Sequence, residues 1–235
     1  MKQEYLSTKT LSAPVNVTWE ITGRCNLNCR HCLSAGTAQN HAGDMSLEQC
    51  RRFIDHLDRI RVFQVNIGGG EPFLREDILE ILDYCHWRGI VTCISTNGVL
   101  LDNELAKKLA RMPLTYVQIS IDGATPETND RIRGEGSYAR ALHGVDCLTR
   151  QGLKNLSINT VVVRVNFKEI HELYRLARFY GAKTRLSRFR PAGRAREAWQ
   201  EYHLTKQQIL ELSAYLSEYK DVLTGDSFFS ITAED

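Results

Sequence analysis

The chain has 235 residues, 43% apolar and 25% charged, with 30 Lys and Arg against 28 Asp and Glu. That length buries a substantial core in one α/β domain, and a formal net charge of +2 gives no whole-chain pull toward nucleic acid or an anionic membrane. No run of about eighteen apolar residues occurs and the opening MKQEYLSTKT lacks an apolar signal region, so the expectation is no membrane span, no export and a cytoplasmic location.

The first periodic segment, 15–21, alternates Val15, Val17, Trp19 and Ile21 with Asn16, Thr18 and Glu20, the pattern of a strand with two unlike faces. Directly after it, ITGRCNLNCRHCLS places Cys25, Cys29 and Cys32 within eight residues, at the strand end where parallel β/α folds build active sites. Seven cysteines, an odd number with three so crowded, suit metal ligation in a reducing compartment better than a disulfide framework. Three thiolates leave one iron of a four-iron four-sulfur (4Fe-4S) cluster open to a small chelating ligand. Two other readings use the same residues. Spacing i, i+4, i+7 also fits one buried helical face, although Gly23, Asn26 and Asn28 disfavour a helix. A zinc site needs a fourth ligand, and no second cysteine pair or His-x-x-x-His follows.

A helix is expected from Ser46, whose spacing to Gln49 is a capping box, with Leu47, Cys50, Ile54 and Leu57 as its apolar stripe. The strand at 62–67 runs into GGGEP, Gly68 to Pro72, where glycines permit close backbone approach and Glu71 offers a carboxylate. A helix at 75–88 and a strand at 90–95 lead to Ser95, Thr96, Asn97 and Gly98. A helix at 102–111 and a strand at 115–121 lead to Ser120, Ile121, Asp122 and Gly123. Each of these polar strand ends suits ribose hydroxyls or an amino-acid head group, and each is also an ordinary turn. Helix 137–151, strand 155–163, helix 168–180, strand 183–189 and helix 205–220 complete six β/α units.

Strands separated by helices at this spacing imply right-handed parallel crossovers, so the expected fold is α/β, a partial (β/α)6 TIM-like barrel. One strand face is apolar, while the other carries Glu20, Gln64, Asn66, Gln118, Ser120, Asn159 and either Ser187 or the pair Arg188 and Arg190. A polar interior argues for an open cleft around a polar ligand rather than a filled barrel. Between Arg164 and Arg196 ten Lys and Arg stand against Glu169 and Glu172, and RFRPAGR supplies Arg188, Arg190 and Arg194 as guanidinium forks for a carboxylate or a base, or as a solvated basic loop. Cys50, Cys85, Cys93 and Cys147 read as structural.

With CxxxCxxC after the first strand and GGGEP after the second, the chain resembles the radical S-adenosylmethionine (SAM) superfamily across nearly its whole length. NVTWEITGRCNLNCRHCLS, FQVNIGGGEPFLRED, STNG, VQISIDGATPETNDRIRG, RFRPAGR and VLTGDSFF are similar to the mycofactocin maturase family, SPASM-type peptide-modifying enzymes. The resemblance implies a radical SAM core in which Cys25, Cys29 and Cys32 hold the 4Fe-4S cluster. His31 would lie near the adenine, and Gly69, Gly70 and Glu71 would meet the methionine amino group. Asn97, Ser120 and Asp122, with Asn159 and Arg190, would line the carboxylate and ribose side of S-adenosyl-L-methionine.

It further implies reductive cleavage of that cofactor to a 5′-deoxyadenosyl radical, an electron donor, and a precursor peptide with a small peptide-chaperone partner. The family's substrate is a C-terminal Val-Tyr, oxidatively decarboxylated at tyrosine and cross-linked to valine. On this reading residues 1–14 are an extension, 15–225 the core, and 226–235 the start of an auxiliary-cluster region; no cysteine follows Cys147. The alternatives are a radical enzyme acting on another peptide or a small molecule, and a non-enzymatic iron-sulfur or zinc module.

Overall fold

The computed structural model describes residues 13–37, 43–219 and 221–224. Most of the extension expected at 1–14, and all of the region expected at 226–235, lie outside the described residues. The period-two segments form β1 (Asn16–Glu20), β2 (Gln64–Gly68), β3 (Val91–Thr96), β4 (Tyr116–Ser120), β5 (Leu156–Val162), β6 (Lys183–Arg188) and β7 (Leu223–Thr224). All neighbours pair in parallel and the spatial order equals the chain order, so the sheet curls into an open half-barrel with β1 and β7 at its edges.

In a parallel sheet, residues in register share a face. Val65, Ile67, Ile94, Val117, Ile119 and Ile158 are fully buried against the helices on the outer face, each contributing roughly 1.5–3 kcal/mol. The inner face is polar and self-bonded: Gln64 Nε2 donates to Asn66 Oδ1 at 2.7 Å, Asn66 Nδ2 to Asn16 Oδ1 at 2.8 Å and Gln118 Nε2 to Ser95 Oγ at 3.1 Å. Ser187 Oγ donates to Asn159 Oδ1 at 2.7 Å, so Ser187 rather than Arg188 faces the lumen. Cys93 also lies on this inner face, in register with Asn66 and Tyr116, yet is buried.

The helices are α1 (Leu47–Arg59), α2 (Ile78–Trp87), α3 (Asn103–Arg111), α4 (Pro126–Arg133), α5 (Ser137–Arg150), α6 (Ile170–Phe179), α7 (Trp199–Tyr202) and α8 (Lys206–Glu218). The capping box at Ser46 and Gln49 is formed, and Cys50, Ile54 and Leu57 are the buried stripe of α1. The structure differs from the periodicity in four places. The helix expected at 75–88 begins at Ile78, because Pro72–Leu74 make a 3₁₀ turn and Arg75 is turned inward, donating to the carbonyls of Ile21 and Met45. The short helix α7 and the two-residue β7 are too brief to show a period. Helix α4 was hidden because only Ile132 in PETNDRIR is apolar; it is started by Thr125 as cap and Pro126 in the first turn.

Helix α5 packs closely on the turn after β3. A Cβ at Gly144 would sit 2.6 Å from the Gly98 carbonyl oxygen and 2.9 Å from Leu101 Cβ. Gly144→Val is expected to cost about 2 kcal/mol by overpacking, read as a lower urea midpoint; an unchanged midpoint would show that α5 is free to move away.

Candidate functional site

The cysteine loop follows β1 and is held by its own backbone and by other elements. Cys25 N–H donates to the Thr37 carbonyl (3.0 Å) and Thr37 N–H to that of Gly23 (3.2 Å), closing the loop on itself. Asp44 accepts from Thr22 Oγ1 at 2.7 Å and from Gly23 N–H at 3.1 Å. Arg194 donates to the carbonyls of Cys29 (3.0 Å) and Gly36 (2.9 Å), and Ala195 N–H to that of Cys32 (3.3 Å). Gly193 enables that approach: its φ is +56°, and a Cβ would fall 2.4 Å from the Leu33 carbonyl oxygen.

The glycines after β2 serve the same loop. Gly70 N–H donates to the Thr22 carbonyl and Glu71 N–H to that of Arg24, each at 2.7 Å. A Cβ at Gly70 would meet the Arg24 carbonyl oxygen at 1.8 Å, and one at Gly69 the Thr22 carbonyl oxygen at 2.6 Å. The close approach that the sequence assigned to a ligand is thus an approach to the loop's own backbone.

Cys25, Cys29 and Cys32 line one cavity of 210 Å³ at the C-terminal strand ends, together with His31, Gly69 and Gly70. Asn97, Ser120 and Asn159 form its other wall. Asn97 Nδ2 donates to Asn26 Oδ1 at 2.7 Å and lies 4.0 Å from Cys25 Sγ. Two further residues expected at the site stand behind this wall, both fully buried. Glu71 accepts from Asn97 N–H and Thr96 Oγ1, each at 2.8 Å, and from Phe73 N–H at 3.1 Å. Asp122 accepts from Arg133 Nε, from Val161 N–H at 2.7 Å, and lies 2.8 Å from His31 Nε2. Arg190 lies apart from the cysteines, lining a largely apolar cavity of 490 Å³ with Phe189, Trp199 and Leu212.

Arg133 is the residue that sequence reading missed. It lines the cysteine cavity, and its Nη1 lies 4.0 Å from Cys29 Sγ. The available signal was the T-P-E-T start of α4, which puts Arg133 two helical turns beyond Pro126. Arg194, which the sequence leaves open as a ligand fork or part of a solvated basic loop, grips the carbonyls of Cys29 and Gly36.

The electrostatics follow from burial. Burial pushes the Cys25 thiol up, and pushes Cys29 up to about 11 even though Arg133 pulls it down. Burial raises Glu71 to about 6, against the hydrogen bonds from Asn97, Thr96 and Phe73. For Asp122 burial is outweighed by Arg133 and His31, which hold it at about 2. His31 Nδ1 is buried with no partner among the described residues.

The donor set discriminates between metals. Among the described residues no three His, Cys, Asp or Glu converge on a point where one ion could sit. A single zinc with bonds of about 2.3 Å would draw its sulfurs to within roughly 4 Å of one another. A cuboidal cluster places each thiolate on a separate iron, which fits three thiols spread over one cavity.

An open parallel half-barrel carrying CxxxCxxC at the end of its first strand defines a radical SAM protein. The sequence pattern of the Radical SAM superfamily matches residues 19–177, and the chain belongs to that superfamily. It is 44% identical over 222 residues to the mycofactocin maturase MftC of Mycobacterium ulcerans, covering 94% of this chain and 60% of that protein. The same identity to the Mycobacterium tuberculosis protein covers 56% of it, so the chain spans just over half the length of these relatives. An AdoMet-dependent heme synthase of Methanosarcina barkeri is 37% identical over 172 residues, covering 73% of this chain and 49% of that protein. Among solved structures, Streptococcus suis SuiB bound to S-adenosylmethionine superposes with a TM-score of 0.77 at 17% identity, over 94% of this chain and 53% of that one, a likeness of fold.

Asp122→Asn strands Arg133 as an uncompensated buried charge, so it should cost about 3–5 kcal/mol; a urea midpoint near that of the wild type would show that His31 and Val161 alone suffice. Glu71 gives a pH signature. Its carboxyl titrates near 6 in the fold against an ordinary 4.5, so its contribution is full below pH 4.5 and declines by about 2 kcal/mol as pH rises through 6. Glu71→Gln should flatten stability over that window; equal slopes for both proteins would contradict the assignment.

Proposed function

We propose that this chain is the core of a radical SAM enzyme acting on a ribosomally made precursor peptide, by a mycofactocin-type oxidative decarboxylation and cross-link. The observation that carries the core reading is the convergence of three thiols and the β2 glycines on one cavity at the C-terminal strand ends. Peptide modification is supported by the 44% identity to mycofactocin maturases and by a fold like that of SuiB, solved with its precursor peptide SuiA.

Bound at this site, a 4Fe-4S cluster and S-adenosyl-L-methionine would supply reductive cleavage to a 5′-deoxyadenosyl radical and hydrogen abstraction from the substrate. Cys25, Cys29 and Cys32 would hold the cluster. Burial raises the Cys25 and Cys29 thiols, so ligation by these two releases protons, and Arg133 beside Cys29 favours its thiolate. Asn97, Ser120 and Asn159 present amide and hydroxyl groups to the cofactor's polar parts, while the Gly69 and Gly70 backbone sets the cavity floor. His31 Nδ1, without a partner among the described residues, is available to a bound base. Glu71 and Asp122 hold the walls rather than touch the ligand.

An electron donor and a small peptide-chaperone partner belong to this reading, as does a reducing cytoplasmic setting. No helix among the described residues is long and apolar enough to cross a membrane. A small-molecule substrate is the second reading, favoured by the heme synthase relative.

Anaerobic reconstitution should load iron and sulfide into the wild type and Cys50→Ala, and into none of Cys25→Ala, Cys29→Ala or Cys32→Ala. With reductant and cofactor the loaded protein should release 5′-deoxyadenosine; a loaded cluster without that product overturns the radical reading. A peptide ending in Val-Tyr that keeps its mass, beside a full-length relative that converts it, would remove self-sufficient peptide maturation and leave the core reading standing.

A further inference from the structure

The half-barrel has a second mouth, at the N-terminal strand ends, opposite the cysteines. Register dictates what faces it. Ser157 of β5 lies between Gln118 of β4 and Lys183 of β6, and Arg185 is the next inward residue on β6. A cavity of 130 Å³ there is lined by Tyr116, Lys154, Ser157, Lys183 and Arg185, with three cations and no carboxylate on its wall. That volume suits one small group, well below the roughly 300 Å³ of a typical organic-ligand pocket.

Two features of this wall are costly unless something binds. Arg185 is half-buried and has no hydrogen-bond or carboxylate partner among the described residues. Burial pushes the Tyr116 phenol up to about 12, and Arg185 pulls against that rise and against the rise at Cys93, so its guanidinium points into the lumen. Ser157 Oγ is the second: the residue is 4% exposed, lines the cavity and has no partner among the described residues. A buried polar group left unpaired is penalised, and a half-buried cation more so. The nearby acid does not answer them. Asp221 borders an adjoining cavity that Lys183 also reaches, and it is engaged by Tyr174 at 3.1 Å and Arg178 at 3.4 Å.

We propose that this mouth is a binding site for a small tetrahedral oxyanion, inorganic phosphate or the phosphoryl group of a small metabolite, held by Arg185, Ser157 and Lys183. The ligand is anionic and rich in acceptor oxygens, and a guanidinium, a hydroxyl and an ammonium can each donate to it. The site is independent of the cysteine cavity and of the reaction performed there.

The test is calorimetric titration of the whole chain with inorganic phosphate, beside sodium chloride of equal ionic strength. Phosphate is expected to bind and to raise the melting temperature where chloride does not. Arg185→Gln should weaken binding about tenfold or more, and Ser157→Ala a fewfold; Arg178→Gln, on the far side of β6, should bind as the wild type does. Ser157→Ala removes only an unpartnered hydroxyl, so it keeps the test decisive if Arg185→Gln folds poorly. A parallel titration with glycerol phosphate separates the sources: binding equal to phosphate points to a phosphorylated metabolite, and binding of phosphate alone to the free ion. No heat and no melting shift beyond chloride, or wild-type affinity in both Arg185→Gln and Ser157→Ala, overturns the site.

Discussion

Asp122 receives hydrogen bonds from three separate pieces of chain: Arg133 at the end of α4, Val161 on β5 and His31 in the cysteine loop. It follows β4, so this single carboxylate ties two strands, one helix and the loop at the mouth of the barrel. The Asp122, Arg133 and His31 side chains are buried. A charge there is tolerable only because each ion is paired and its remaining bonds are met. Arg133 then extends the network to Cys29 Sγ, so the loop's conformation and the electrostatics around its thiols rest on the same ion pair. The arrangement is stiff at the top of the barrel because removing Asp122 leaves the Arg133 charge buried without its carboxylate.

A second constraint acts on the loop's backbone. Its carbonyls at Thr22, Arg24, Cys29, Cys32 and Gly36 each accept a hydrogen bond, from Gly70, from Glu71 or from the segment 194–195. Most of these contacts are main chain to main chain, or an arginine fork to a carbonyl. Side-chain identity is therefore dictated at few positions, and those are the glycines, where a Cβ would collide. The cysteines are left free to face the cavity because the backbone carries the load.

What the sequence made legible follows from what has a period. Six strands and five of the six expected helices stood within a residue or two of their limits, since each has an apolar stripe long enough to repeat. The three cysteines were visible through spacing alone. Helix α4 was not, because PETNDRIR has no stripe, and with it went Arg133. For Glu71 and Asp122 the residue type signalled a polar site, but type does not say which way a carboxylate turns. Both turn toward backbone N–H groups of the adjoining strand, at Asn97 and Val161, a pairing set by sheet register rather than by anything local. The choice between Ser187 and Arg188 on β6 likewise depended on register, which the strand's own alternation leaves open.

The two ends of the lumen deal with the same physical problem in different ways. A parallel sheet with a polar inner face must satisfy every amide, hydroxyl and charge it turns inward. At the C-terminal end the charges cancel internally, Asp122 against Arg133, and what remains facing the cavity is a set of thiols, amides and glycine backbone suited to an exchangeable cofactor. Along β1 to β4 the inward polar groups bond one another, Gln64 and Asn16 to Asn66 and Gln118 to Ser95. At the N-terminal ends of β5 and β6 that economy stops: Arg185 and Ser157 face inward and meet no hydrogen-bond partner among the described residues. The self-paired inner face of β1 to β4 is the background against which two neighbouring unpaired groups of matching chemistry acquire meaning. The same accounting that identifies the cofactor end as prepared for a ligand applies, residue by residue, to the opposite mouth.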